Sequence, residues 1–153
     1  MSRLEEQLQH DLTAAMKARD EVATSTLRMI RAAVMNASVA GAEAIELSDD
    51  QVIDVLRSEA KKRSEAAEVY AAAGRAESAA KELAEREIIE RYLPAAMGDD
   101  ELGAIVAEEI ARAAADGATG PKGTGIVIRV VRERVGPGAD GARIAAVVKA
   151  SLT

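Results

Sequence analysis

The feature that most constrains this chain is the spacing of its aliphatic residues. Leu4, Leu8, Leu12 and Met16 recur every four residues, with Ala15 widening the stripe. That is one face of an amphipathic helix, roughly residues 2–18. Asp20 is placed to cap a second helix carrying Val22, Leu27, Ile30 and Val34, which fades near Gly41 into a loop reaching Leu47. Ser48-Asp49-Asp50-Gln51 fits a capping box, where Ser and Gln side chains satisfy each other's orphan amides. Val52, Ile53, Leu56, Ala60, Ala67 and Tyr70 continue from it to Gly74, a left-handed C-cap. A fourth helix over Glu77 to Tyr92 turns Leu83, Ala84 and Ile88 inward. Its outer face carries Glu82/Arg86 and Glu87/Arg91 as i,i+4 pairs.

Leu93-Pro94 ends that helix, because proline drives its predecessor out of the helical region. The domain boundary is placed there, with a four-helix N-terminal domain over 1–94 and a three-helix C-terminal domain over 95–153. Asp99 is read as the cap of a helix with Leu102, Ile105, Val106, Ile110 and Ala113, ended by Gly117. Gly120-Pro121 reads as an N-cap with proline at the first helical position. The β-branched run Ile126 to Val131 leaves helix and strand both open. Helix is favoured, since Arg129 and Arg132 sit opposite Val127, Val130 and Val131 and a lone strand has no partner. After Gly136-Pro137-Gly138, Asp140 caps a last helix with Ile144, Val147, Val148 and Leu152. The expected fold class is all-α.

Composition reinforces this and removes many functions. Alanine, the best helix former, occurs 34 times. With no cysteine there are no disulfides, thiol nucleophiles or Cys-held metals, and His10 is the only imidazole. Without Phe or Trp, only Tyr70 and Tyr92 could stack on bases, which excludes single-strand readers built on aromatic platforms. No apolar run approaches the ~20 residues of a membrane span, and Met1 to Asp11 has no secretory apolar core. A soluble, cytoplasmic protein is expected.

Most motifs dissolve on inspection. Gly120 and Gly125 have the spacing of a phosphate loop, but Ile126-Val127 stand where Lys and Ser/Thr are required. Ser58-x-x-Lys61 and Ser78-x-x-Lys81 lack the partners of a serine–lysine acylase. His10 lies at the polar edge of the first helix. No catalytic, cofactor or metal site is expected. Charge distribution is more informative. From Ala118 onward, Lys122, Arg129, Arg132, Arg134, Arg143 and Lys149 face only Glu133 and Asp140, a net of +4 in a chain of −6. A basic unit on an acidic body suits local contact with phosphates.

Asp11-Leu12-x-x-Ala15-Met16-Lys17-x-Arg19-Asp20, followed by Leu27-Arg28-Met29-Ile30-Arg31-Ala32-Ala33, resembles the YqeY-like family, the small stand-alone members of the GatB/YqeY group. The similarity continues through Leu47 to Ile53, Lys61-Lys62-Arg63, Tyr70 with Ala73-Gly74-Arg75, Tyr92-Leu93-Pro94, Lys122-x-x-Gly125 and Ala139-Asp140-Gly141. It departs where the usual Asp-Met is Gly123-Thr124, where Arg129 stands at a commonly small position, and where Pro137 replaces a glycine.

The resemblance implies a long helical N-terminal domain and a small C-terminal one similar to the tail of the GatB subunit. That subunit belongs to the glutamine-using, tRNA-dependent amidotransferase, a carbon–nitrogen ligase, and its tail is associated with holding tRNA. The expected function is thus a non-catalytic, tRNA-associated accessory module that works beside a tRNA-handling enzyme. Lys122, Arg129, Arg132, Arg143 and Lys149 are its candidate phosphate contacts, and Asp140 a structural cap. The alternative is a helical protein-interaction adaptor using a face around Tyr70 or Met97. An independent ligase ranks last, and the oligomeric state stays open.

Overall fold

Helices start where the chain can satisfy its own first amides. Ser48 Oγ accepts from the Gln51 amide, and the Gln51 side chain accepts from the Ser48 amide in return. Asp20 and Asp140 cap in the same way, accepting from the Ala23 and Arg143 amides. The computed structural model describes residues 1–152. Among them are seven α-helices and no strand: α1 (Arg3–Lys17), α2 (Glu21–Ser38), α3 (Asp49–Ala72), α4 (Ala76–Glu90), α5 (Asp99–Ala115), α6 (Gly120–Val135) and α7 (Gly141–Ser151). A 3-10 turn at Gly136–Gly138 separates the last two. None of the described helices is long and apolar enough to cross a membrane.

The chain divides into two compact units, Met1–Leu93 and a second beginning at Pro94. In the first, Leu8 and Leu12 of α1, Leu27, Ile30 and Val34 of α2, Val52 and Leu56 of α3, and Ile88 and Ile89 of α4 form one core. The longest packing is between α3 and α4, a helical hairpin closed at Gly74, whose φ of +76° is natural only for glycine. Four expected core residues lie outside, Ala84 among them. Met16 and Val22 are exposed, and Leu83 is 42% exposed, so α4 is rotated from the face its aliphatics suggested. Glu85 is buried in α4 instead, because Arg63 of α3 is buried against it. Arg86 pairs with Glu90, not with Glu82 as expected.

In the second unit, Leu102 and Val106 of α5, Val127 and Val131 of α6, and Ile144 and Val148 of α7 form a separate core. The β-branched run at 126–131 is helical. Val127 and Val131 stand one turn apart on a single buried face, where packing outweighs weak helix propensity. Two caps shift by one residue. Gly98, not Asp99, is the N-cap of α5, and Thr119 precedes α6, leaving Gly120 inside the helix. The Met97 amide donates to the Gly138 carbonyl at 2.9 Å, tying the start of this unit to the turn before α7.

Candidate nucleic-acid interface

Because α6 buries Gly123, Val127, Val131 and Val135, its remaining faces are free for polar residues. Lys122, Arg129 and Arg132 all lie exposed on it. At 100° per residue they fall within an arc of roughly 80°, a stripe nearly three turns long. Among the described residues, no carboxylate comes within ion-pair distance of any of the three. Arg132 lies over the start of α7, its guanidinium 3.6 Å from where a β-carbon on Gly141 would stand.

The other cations behave differently. Arg134 Nη1 lies 2.6 Å from Glu108 Oε2 and 3.1 Å from Glu109 Oε1, both on α5. Hydrogen bonds to Glu108 and then Glu109 raise its already high pKa further. Glu109 is only 3% exposed and also accepts from Arg112, so this cluster joins α5 to α6. Arg143 Nη2 donates to Asp99 Oδ1 at 2.6 Å, joining α7 to α5. Asp99, expected as a cap, is thus an ion-pair partner. Lys149 is exposed in the last turn of α7, where a cation suits the helix dipole. From Pro94 onward the chain carries seven Lys/Arg and eight Asp/Glu, so the acidic α5 offsets the basic helices and leaves the α6 stripe as the local surplus.

A family model described as Yqey-like protein matches residues 5–152, from the first turn of α1 through α7. The chain belongs to this family. No curated protein matches it significantly.

Within this Yqey-like chain, the glycine that the fold demands beside the stripe is Gly123. A β-carbon there would stand 2.6 Å from the Ala118 carbonyl oxygen, whereas one on Gly125 would meet nothing within 4 Å. The turn before α6 therefore closes directly onto the helix backbone, with Lys122 presented at the lip.

The basic run Lys61-Lys62-Arg63 comes apart. Lys61 is exposed, Lys62 pairs with Glu59 at 3.0 Å, and Arg63 turns inward. Arg63 donates to Glu59 Oε2 at 2.7 Å and lies 3.4 Å from Glu85 Oε2. Burial would raise the Glu59 carboxyl, but hydrogen bonds from Arg63 and Lys62 outweigh it and hold it below its ordinary value. Sequence reasoning missed the Arg63–Glu85 contact because both residues lie on helices that read as charged and solvated. Met97, offered as part of an adaptor face, packs against the core of the second unit, and Tyr70 is half-buried. Among the described residues, no group of three His, Asp or Glu side chains could hold a metal ion.

Proposed function

We propose that this Yqey-like chain is a non-catalytic accessory module that holds tRNA by its phosphates. Its layout would be a four-helix domain over 1–94 followed by a three-helix domain over 95–153 akin to the tail of the amidotransferase B subunit. The observation that carries this reading is the stripe of Lys122, Arg129 and Arg132, exposed and, among the described residues, outside any ion pair on an otherwise acidic protein. Phosphate contact needs only such a row of cations, since each neutralised phosphate releases counterions. Base stacking is barely available, so the module would hold shape and backbone and not read bases. Arg143 serves this site indirectly, by fixing α7 to α5 through Asp99.

Filter binding against total tRNA over a salt series tests the reading. Affinity falls steeply with salt, and Arg129→Ala and Arg132→Ala each reduce the slope by about one unit. Arg143→Ala leaves the slope nearly unchanged while lowering the stability of the second unit. Absence of binding at low salt, or an unaltered slope in the Arg129→Ala/Arg132→Ala double variant, overturns it.

A further inference from the structure

The first unit exposes large apolar side chains that its core leaves unused. Of the five methionines, Met16, Met29 and Met35 are 50%, 40% and 64% exposed, in a chain with no Phe or Trp to spend on a surface. Met16 at the end of α1 and Met29 in the middle of α2 line one open groove of about 630 Å3, together with Arg19, Glu21 and Arg28. Met29 is held in place from beneath, its sulfur 3.8 Å from the Nη2 of buried Arg63. Arg19 occupies the sharp turn between α1 and α2 at a φ of +56°, a conformation unusual for a side-chain-bearing residue. Among the described residues neither Arg19 nor Arg28 enters an ion pair, and the groove's single carboxylate is Glu21.

The geometry points to a docking groove for an amphipathic helix of a partner protein, one whose apolar side chains are bordered by Asp or Glu. Apolar anchors at i and i+3 or i+4 of such a helix would seat between Met16 and Met29, as in helix-in-groove recognition. Methionine suits the task because its flexible, polarisable thioether repacks around different shapes. Arg19 and Arg28 supply the charge complement to the acidic borders. That is a local excess, since residues 1–93 carry thirteen Lys/Arg against eighteen Asp/Glu. A nucleic-acid backbone would meet the two arginines but leave both methionines uncovered. The groove lies in the first unit, on residues separate from the α6 stripe, so it stands whether or not that stripe binds RNA.

The test uses the full chain carrying 13C-methyl methionine, observed by NMR. It is titrated with a helical peptide of Leu and Glu whose leucines recur at i, i+3, i+4 and i+7, with the same peptide bearing Lys for Glu, and with total tRNA. The Glu peptide is expected to shift the Met16 and Met29 methyls, and Arg19→Glu/Arg28→Glu to weaken it about ten-fold or more. Both arginines are exposed, so an unchanged circular dichroism melt shows the variant folded. Met16→Ser/Met29→Ser, read by peptide fluorescence anisotropy, must weaken binding as well. No methyl shift, equal response to the Lys peptide, response to tRNA alone, or methyl shifts that track protein concentration and a sedimenting dimer would each overturn the proposal.

Discussion

Arg63 of α3 and Glu85 of α4 lie 3.4 Å apart with their side chains only 9% and 8% exposed. The longest helix contact of the first unit therefore closes over a charge pair, while Arg63 donates its hydrogen bond to Glu59. Removing one partner of such a pair strands the other in a poorly solvated place. Glu85→Ala should destabilise the first unit by about 3 kcal/mol, the low end because Glu59 remains. The double variant Arg63→Met/Glu85→Leu should recover most of it. Both tyrosines lie in this unit, so tyrosine fluorescence in a urea titration follows its unfolding separately. A loss below about 1 kcal/mol for Glu85→Ala contradicts the account.

Acid should act on the same cluster. The Glu59 carboxyl is held below its ordinary value of 4.5, so its stabilising effect is complete above that value. It is lost as pH falls through the lower value of the folded state. Glu59→Gln should therefore be less stable than the parent near neutrality, and the difference should close as the pH drops below 4.5. Urea midpoints collected across that range measure the convergence.

Tyr92 anchors the end of α4 to α1, its hydroxyl donating to Asp11 Oδ2 at 2.5 Å. Burial first, then this bond, raises the phenol well above its ordinary value of 10. Tyr92→Phe should cost about 1.5–3 kcal/mol, the range of a hydrogen bond to a charged group. The raised value means the contribution is whole below pH 10 and lost only as alkali forces ionisation. In a Tyr70→Phe background, phenolate absorbance should rise together with loss of helical circular dichroism.

Two neighbouring glycines should respond with opposite sign. Gly123→Ala drives a β-carbon to 2.6 Å from the Ala118 carbonyl oxygen and should destabilise the second unit by about 1–3 kcal/mol. Gly125→Ala enters open space within α6 and should stabilise by about 0.5–1 kcal/mol. With no tyrosine in this unit, both effects appear in circular dichroism melts and leave the tyrosine signal unmoved.

Much of the fold was legible because it is local. The caps at Asp20, Ser48 and Asp140 and the stop at Gly74 each involve groups within a few residues, so the chain declares them wherever it goes. Helices with strong stripes, such as α1, were legible for the same reason. The phase of α4 was not. Its aliphatics place Leu83 inside, but a carboxylate is buried only where another helix brings a cation, and nothing near Glu85 in the chain announces Arg63.

The candidate site divides along the same line. By itself, the sequence determined that cations concentrate after Ala118, because charge is a property of the chain, while the helix that puts Lys122, Arg129 and Arg132 on one face was only favoured over a strand. Only the tertiary structure decided which cations stay available. Packing α5 against α6 and α7 sets Glu108, Glu109 and Asp99 beside Arg134 and Arg143, which become internal ties, while among the described residues the α6 stripe meets no carboxylate. Coulomb attraction acts on distance in space, and that distance exists only once the helices have packed.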